Sequence, residues 1–391
     1  MDKMPTLLRN IVVTLLLIVW MLPASAHMVR AVRGMSVSGG SENRVLAGWP
    51  RWNELGMQEN TKHEASQDKV KQYTSLLDAY VNDNFGLREL AIRLHAKLSH
   101  ALGSDEGGTI AGSEGGWLFL AHPSIWLSYG GKLSFTQQNT DKFLREIAQL
   151  QEKIESQGGV FASIFPPDKA RIYSEYAPER YGQASPRRFV ASILKHPDRT
   201  QLHVLDIEPA LRRAKSDGYV YYKTDTHWTG RGAYEGYRAA MEAFNRGDRT
   251  HFISLTRSQL VEIARENYSG DLALLRGLSG ELTEDLIDLG PPQISQARQI
   301  TTLHDDDKIR EWRTRISTNN KEGGTTLVII GDSFANVLLQ FFEHSFDRVI
   351  LLHHKNGRFN LDEVLNYQPD AVLFAPAERN LLKVSKSLKL E

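Results

Sequence analysis

Apolar residues recur at helical spacing in several parts of the chain. From Val70 to Leu102 they return every three or four positions, with an interruption near Asn84–Gly86, and this pattern predicts two helices. A further amphipathic helix is predicted over Thr136–Ser156, because apolar positions again recur at helical spacing and two glycines follow shortly after its end.

Short apolar runs between these segments predict strands. A short apolar run closed by proline, glycine or polar residues suits a strand that is buried on both faces of a parallel sheet. Such runs occur at Val160–Phe165, His203–Ile207, Leu327–Ile330, Val349–Leu352 and Ala371–Phe374. Because helical or loop segments separate them, they predict an α/β fold with a doubly wound parallel sheet flanked by helices. The stretch 246–323 shows no clean period, and we interpret it as an insertion that covers one side of the sheet.

The N-terminus has the pattern of an export signal. Lys3 and Arg9 precede an apolar run at Ile11–Leu22, and Ala24–Ala26 provides a cleavage site of the A-x-A type. The run is shorter than the ~20 residues that span a bilayer. Residues 1–26 are therefore interpreted as a signal peptide, with an uncleaved signal anchor as the alternative.

Two further regions follow this signal. Residues 27–70 are polar and lack sustained periodicity, which indicates an irregular N-terminal segment. Residues 71–391 contain all of the predicted strands and are interpreted as one catalytic domain. This domain is expected outside the cytoplasm.

Composition excludes several classes of function. Lys plus Arg and Asp plus Glu both number 47, so the net charge is zero and no global field would hold a nucleic acid. Cysteine is absent, which rules out disulfides, thiolate nucleophiles and Cys-based metal sites. The chain has no H-E-x-x-H motif, phosphate loop or dinucleotide fingerprint, so neither a metal nor another cofactor is predicted.

The strongest signal for chemistry is a strand that runs into Gly331–Ser333 and then into a helix. Such a turn lifts the serine hydroxyl above the carboxyl edge of a parallel sheet, where the first amides of the helix would face a developing oxyanion. Ser333 is thus a candidate nucleophile. Glycine, aspartate and serine are also common in ordinary turns and helix caps, so the tripeptide alone leaves this alternative open.

Asp225 and His227 are the candidate partners of this serine. They lie two residues apart, just before a predicted helix. A serine hydroxyl needs a general base, and histidine suits that role near neutral pH. Asp225 would hydrogen-bond the other ring nitrogen and fix its tautomer. The alternatives are that the two residues cap the helix or bind a metal.

Five motifs that include these residues occur in a fixed order. They are GWLFL at Gly116–Leu120, PPDKARIYSEY at Pro166–Tyr176, DTHW at Asp225–Trp228, GDSF at Gly331–Phe334 and AERNL at Ala377–Leu381. The set resembles the alginate O-acetyltransferase family of AlgJ and AlgX type, over residues 84–381. The chain stops ten residues after AERNL. That leaves no room for the C-terminal carbohydrate-binding module of AlgX-type members, so the resemblance is closer to AlgJ.

The resemblance implies an SGNH-hydrolase-like fold with a permuted order, in which Asp and His precede Ser. It implies Ser333 as nucleophile, His227 as base and Asp225 as its orienting partner. It also implies a periplasmic O-acetyltransferase that takes acetyl groups from a membrane-bound O-acyltransferase and acts beside other polymer biosynthesis and export proteins. The acceptor would be an exopolysaccharide such as polymannuronate. An uncleaved N-terminus would attach the protein to the inner membrane.

Three alternatives to this activity stay open, namely acetyl-ester hydrolysis, acetylation of another polymer such as cellulose, and a non-catalytic polymer-binding role. Two residues are candidate substrate contacts. Trp228 is expected to stack on a sugar ring, although tryptophan in an apolar segment is more often part of the core. Arg379 is expected to bind an acyl or sugar carboxylate, with a surface ion pair as the alternative.

Overall fold

A computed structural model describes part of the chain, namely residues 48–51, 67–84, 94, 110–247, 251–294, 298–304 and 313–388. The chain forms two compact units. One contains residues 1–104 and 274–278, and the other contains residues 105–273 and 279–391. The predicted signal at residues 1–26 lies outside the described residues.

The first unit contains helix α1 (Gln67–Asn84), on which Tyr80 packs edge-on against Trp49 with ring centroids 5.1 Å apart. The helix ends at the predicted interruption and begins within the segment that was predicted to be irregular. The second predicted helix, up to Leu102, falls almost entirely on residues outside the description. Within the described ranges, every helix is too short or too polar to cross a bilayer.

The second unit contains the strands. In chain order they are β1 (Ile110–Gly112), β2 (Leu118–Leu120), β3 (Val160–Ile164), β4 (Val204–Leu205), β5 (Val261–Tyr268), β6 (Glu284–Gly290), β7 (Gln299–His304), β8 (Arg313–Thr318), β9 (Thr326–Gly331), β10 (Arg348–His353) and β11 (Ala371–Ala375).

Further helices connect or follow these strands. They are α2 (Pro123–Tyr129), α3 (Gln137–Ser156), α4 (Lys169–Ile172), α5 (Ala191–Leu194), α6 (Glu208–Ala214), α7 (Gly230–Phe244), α8 (Asp271–Leu275), α9 (Ala335–Phe342), α10 (Leu361–Asn366) and α11 (Leu381–Ser387). The predicted helix at Thr136–Ser156 is confirmed as α3. It begins after Thr136, whose hydroxyl accepts a hydrogen bond from the Asn139 amide at 3.2 Å.

Seven of the strands form one sheet in the order β4-β3-β11-β9-β10-β8-β7. The first five run parallel and correspond to the five predicted strands, which are thereby confirmed. β8 and β7 are antiparallel additions from the stretch 246–323, so the sheet is mixed rather than wholly parallel. β5 and β6 come from the same stretch and form a separate antiparallel hairpin.

Helices cover both faces of the sheet, as a doubly wound fold requires. Alternate residues of β9 enter opposite cores. Leu327 and Ile329 pack with residues of α7 and α9, whereas Val328 and Ile330 pack with residues of α3 and α11. Every residue of β9 is buried, which is why the strand appears as an uninterrupted apolar run in the sequence.

The last residue of β9, Gly331, pairs with Ala375 of β11 on one side and with His353 of β10 on the other. The turn that follows therefore emerges near the middle of the sheet at its carboxyl edge. Open α/β sheets bind their ligands at this edge.

Candidate active site

Asp225 and His227 are in direct contact on the segment that leads into α7. The Nδ1 atom of His227 lies 2.7 Å from Oδ1 of Asp225, and the backbone amide of His227 donates to the same oxygen at 2.9 Å. The other oxygen, Oδ2, accepts hydrogen bonds from the Tyr268 hydroxyl at 2.9 Å and from the Asp271 amide at 3.0 Å. Both oxygens of the buried carboxylate are thus occupied by donors.

These donors decide the charge of the pair. Burial alone would raise the pKa of Asp225, but the hydrogen bonds and charge of His227 outweigh it and hold this pKa below its usual range. Burial likewise lowers the pKa of His227, and the contact with Asp225 reverses that shift, so the net pKa is raised. Because Asp225 is ionised, Nδ1 of a neutral His227 carries the proton and Nε2 is the basic nitrogen.

The Nε2 atom of His227 is buried, and it makes no hydrogen bond to any described residue. The imidazole packs against Phe334, the residue after Ser333, with ring centroids 5.1 Å apart. An unpaired basic nitrogen is unusual in a protein interior, where polar atoms normally have partners. Catalytic hydrogen bonds are often too long in the absence of substrate and form when it binds.

Ser333 lies in the turn between β9 and α9 and is exposed. It lines a pocket of about 440 Å³ together with Asp225 and His227. The other lining residues are Tyr222, Arg265, Tyr268, Asp288, Arg315, Asn336, Val337, Leu339, Gln340 and Glu343. The fold therefore brings together three side chains that the sequence analysis selected from two distant segments.

The amides at the start of α9 differ from the prediction. Phe334 donates its amide to Oδ1 of Asp332 at 3.1 Å, and the amides of Ala335 and Asn336 donate to the carbonyls of Asp332 and Ser333. The expectation that the first helix amides face a developing oxyanion is wrong for these three, because each is already paired.

Asp332 fixes the serine turn through hydrogen bonds to the segment 377–380. Its Oδ2 atom accepts hydrogen bonds from the Ala377 amide and from Nδ2 of Asn380, both at 2.8 Å. Burial opposes ionisation of Asp332, but the imidazole of His354, whose Nε2 atom lies 3.5 Å from Oδ2, and the Ala377 amide hold its pKa below the usual range. The AERNL motif thus contacts the GDSF motif directly, which accounts for their joint presence in the sequence.

Comparison with known proteins agrees with this fold. Residues 110–371 match the family described as an SGNH hydrolase-like domain, acetyltransferase AlgX. The chain belongs to this AlgJ/AlgX-type family. Its fold is accordingly SGNH-hydrolase-like, and the family is described as one of acetyltransferases.

Relatives within the AlgJ/AlgX-type family are distant. "Probable alginate O-acetylase AlgJ" of Pseudomonas syringae pv. tomato is 27% identical over 212 residues, which cover 51% of this chain and 50% of the relative. The protein of the same name from Pseudomonas putida is 25% identical over 221 residues, or 54% of each chain. The chain therefore spans about half the length of the curated relatives it matches.

A solved structure shares the fold of this chain. Bacillus cereus PatB1 with a sulfonyl adduct superimposes with a TM-score of 0.51 and 16% identity, covering 70% of this chain and 97% of that chain. At this identity the similarity concerns the fold alone.

Trp228 does not face the pocket that contains Ser333. Its side chain is 0% exposed and belongs to the core cluster on the α7 side of the sheet. Its indole Nε1 donates a hydrogen bond to the carbonyl of Phe334 at 3.0 Å. The predicted stacking of Trp228 on a sugar is wrong, because no face of the ring is open to a ligand.

Arg379 packs against Phe334 and is not among the residues that line the pocket of Ser333. Its side chain is 14% exposed, and Nη1 pairs with Oδ1 of Asp168 at 3.2 Å. The guanidinium also lies over the ring of Phe334, 4.9 Å from its centroid. The sequence analysis kept an ion pair as the alternative, but placed it on the surface, whereas this pair is largely buried. A contact of Arg379 with substrate stays a prediction.

Several residues of the site were not found from the sequence. Tyr268 and Asp271, which donate to Asp225, and the pocket arginines Arg265 and Arg315 all come from the stretch 246–323. β5 carries mostly exposed or half-buried residues on both sides, so it lacks the alternation that marks a half-buried strand. No pattern in the sequence distinguishes these residues from a polar loop.

Asp225, His227 and Asp271 lie close enough to hold a metal ion. The oxygens of both carboxylates and Nδ1 of His227 already have hydrogen-bond partners, however. Asp271 accepts hydrogen bonds at 2.6 Å from both the amide and the hydroxyl of Thr226, and both oxygens of Asp225 accept from protein donors. The group has the hydrogen bonding of an oriented Asp–His pair rather than that of a ligand set.

Proposed function

We propose that the chain is an O-acetyltransferase that transfers acetyl groups to hydroxyls of an acidic exopolysaccharide, alginate above all, by means of Ser333, His227 and Asp225. One observation carries the proposal. An ionised Asp225 holds Nδ1 of His227 at 2.7 Å, and Nε2 of the same ring has no hydrogen-bond partner among the described residues. His227 and the exposed Ser333 line the same pocket. An oriented base beside a hydroxyl on a strand-to-helix turn is the arrangement that activates a serine.

The first half-reaction forms an acetyl-serine. Nε2 of His227 takes the proton of the Ser333 hydroxyl as Oγ attacks the carbonyl carbon of the acetyl donor. The tetrahedral intermediate collapses when the bond to the donor oxygen breaks, and His227 returns its proton to that oxygen. Asp225 stays ionised throughout and stabilises the imidazolium.

The second half-reaction reverses these roles. A sugar hydroxyl gives its proton to Nε2 of His227 and attacks the acetyl carbonyl carbon. Oγ of Ser333 then leaves and takes the proton back from His227, which restores the starting state. If water takes the place of the sugar, the same steps release acetate, and the enzyme acts as an esterase.

Two arginines favour an acidic acceptor. Arg265 on β5 and Arg315 on β8 line the pocket of Ser333, and in the described residues their buried Nε atoms have no hydrogen-bond partner. Two carboxylates also line the pocket. Glu343 partly offsets the charge of Arg315, with Nη2 and Oε1 3.9 Å apart, whereas the carboxylate of Asp288 accepts a hydrogen bond from the Tyr222 hydroxyl. Guanidinium groups suit the planar carboxylate of a uronate residue.

The proposed location and partners follow from the N-terminal pattern and from the relatives. Residues 1–26 have the form of a signal peptide or a signal anchor, so we place the enzyme in the periplasm, with attachment to the inner membrane in the anchored case. The relatives are named as alginate O-acetylases, which supports polymannuronate as the acceptor. A membrane-bound O-acyltransferase would supply the acetyl groups, beside polymer biosynthesis and export proteins.

The test is acetyl transfer by purified protein. An activated acetyl ester serves as donor and oligomannuronate as acceptor, and mass spectrometry measures acetylated sugar while acetate is measured separately. We expect transfer by the natural sequence and loss of both products in Ser333→Ala. Ser156→Ala, at the exposed end of α3, is the matched control and should keep full activity.

A serine-directed sulfonyl fluoride provides a second readout. It should label Ser333 in the natural sequence and react far more slowly in His227→Ala. Full activity of Ser333→Ala would refute the triad. Acetate release without any transfer would replace the transferase with an esterase, and polymer binding without labelling would leave a non-catalytic subunit.

A further inference from the structure

Lys169 is the first residue of α4 and is almost completely buried, with 4% of its surface exposed. Its ammonium donates hydrogen bonds to three backbone carbonyls, those of Tyr222 at 3.0 Å, Lys223 at 2.9 Å and Asp225 at 2.7 Å. All three belong to the segment 222–227, which contains the Asp–His pair. One buried cation thus spends its full donor capacity on the backbone of that segment.

Glu284, at the start of β6, binds the backbone amides of the same segment. Its carboxylate accepts hydrogen bonds from the amides of Lys223 and Thr224, both at 2.8 Å, and from the Thr224 hydroxyl at 2.7 Å. Glu284 is also buried. Two different buried charges therefore hold three carbonyls of this segment, those of Tyr222, Lys223 and Asp225, and two of its amides, those of Lys223 and Thr224.

This segment needs such partners because it is neither helix nor strand. Buried backbone groups must be paired, and within residues 222–227 the Tyr222 amide donates to the His227 carbonyl at 3.3 Å, while most of the other groups find their partners outside the segment. The ammonium of Lys169 is further stabilised by the rings of Phe119 and Trp117, whose centroids lie 5.1 and 5.7 Å away. The GWLFL and PPDK motifs thus meet at the carbonyls of the DTHW segment.

We propose that Lys169 and Glu284 are positioning residues that clamp the backbone of residues 222–225 from its carbonyl and amide sides, and so hold His227 where it can serve Ser333. This inference rests on the proposed function. Neither residue touches the reacting atoms in this scheme. Their effect is on the geometry of the base, for which displacements of about 1 Å cost on the order of a hundredfold in rate.

The clamp also makes the site sensitive to alkaline pH. Burial lowers the pKa of Lys169 to about 7, against the carboxylates of Asp225, Glu284 and Asp271, which face the ammonium and raise it. A neutral amine has two hydrogens for three carbonyls, so deprotonation breaks one of the three contacts. The carbonyl of Lys223 has a second donor in the Leu118 amide, at 2.9 Å, whereas those of Tyr222 and Asp225 depend on Lys169. Activity should therefore fall as pH rises through the pKa of Lys169.

Lys169→Met tests the clamp, with Lys215→Met as a matched control. Lys215 also donates to a backbone carbonyl, that of Ile172 at 3.0 Å, and lies 4.3 Å from the centroid of Tyr173, but its partners are outside the segment 222–227. Sulfonyl fluoride labelling of Ser333 and the pH dependence of kcat are measured for both. We expect Lys169→Met to label about 10 to 100 times more slowly, with KM little changed, and to lose the alkaline limb. Lys215→Met should behave as the natural sequence does.

Glu284→Gln tests the same clamp if Lys169→Met does not fold. The amide keeps the shape of the side chain but replaces one acceptor oxygen with a donor, so one of the two amide contacts must break. We expect slower labelling with an alkaline limb that persists, because Lys169 is still present. The limb should lie at lower pH, because the Glu284 carboxylate that raised the pKa of Lys169 is gone. Labelling at the natural rate by a folded Lys169→Met, or by Glu284→Gln in its place, overturns the clamp. Absence of labelling in the natural sequence overturns the proposed triad instead, so the two failures are distinct.

Discussion

The indole of Trp228 donates a hydrogen bond to the backbone carbonyl of Phe334 at 3.0 Å. The contact joins the residue after His227 to the residue after Ser333, which are far apart in the chain. Because both partners are buried, the bond is shielded from water and fixes the spacing between the two segments. Trp228 therefore serves the site from within the core rather than at the substrate.

Trp228→Phe should both destabilise the protein and slow its chemistry. The change removes the hydrogen bond to the buried carbonyl of Phe334 and leaves space where the larger ring packed, which together cost about 1–3 kcal/mol of unfolding free energy. Trp126→Phe is the matched control, since its indole donates to the carbonyl of Leu120 at 3.1 Å, on a different side of the same core cluster. Denaturant unfolding should show a loss in both variants, and labelling of Ser333 should slow only in Trp228→Phe. Equal labelling rates in the two would show that the bond does not align the site.

Asp225→Asn should lower activity and shift its dependence on pH. The amide cannot stabilise the imidazolium or enforce the tautomer, a change that costs about 10⁴-fold in serine proteases. Asp225 raises the pKa of His227, so its neutralisation lowers that pKa. The base works in its neutral form, and the acid limb of kcat should therefore move to lower pH. A pH–rate profile of the residual activity measures the shift, and an unmoved limb would mean that His227 is not the base.

Arg265→Gln and Arg315→Gln should weaken binding of acidic acceptors. Loss of a charge-assisted hydrogen bond of about 1.5 kcal/mol corresponds to roughly a tenfold rise in KM for oligomannuronate. Acetylation of a neutral oligosaccharide should change little, and so should kcat. Arg313→Gln, two residues earlier on β8 and not among the residues that line the pocket, is the control. An equal effect on neutral and acidic acceptors would remove the case for a uronate.

Gly270→Ala should displace Asp225. A Cβ atom at this position would lie 2.4 Å from Cβ of Asp225 and 2.7 Å from its Cα and N atoms, so the two segments must move apart. Overpacking of this kind costs about 1–3 kcal/mol, and the shift of Asp225 should lower kcat more than tenfold. Gly48→Ala has open space around the added methyl group and should change neither stability nor activity. A stable and fully active Gly270→Ala would show that Asp225 tolerates displacement.

The five parallel strands could be predicted because burial on both faces leaves an apolar run in the sequence, as in β9. The hairpin of β5 and β6 and the antiparallel strands β7 and β8 could not. β5 is mostly exposed or half-buried, and in β6 the polar Glu284 and Asp288 are buried while Ile287 is exposed, so apolar residues do not mark the buried face. The predicted contact between Asp225 and His227 depends on spacing alone and is local. The error over Trp228 arose because proximity in sequence to a candidate base says nothing about the direction of a side chain.

By itself, the amino-acid sequence determined the parallel core, the serine turn after β9 and the pairing of His227 with Asp225, because each depends on periodicity or on neighbours a few residues apart. Only the tertiary structure decided what surrounds them. It brought Ser333 and His227 to one pocket, occupied Asp225 with donors from Tyr268 and Asp271, and supplied Lys169 and Glu284 to the backbone of the histidine segment. The physical reason is that buried charges and backbone groups take whichever partners the packed core brings within hydrogen-bond distance, at any separation along the chain.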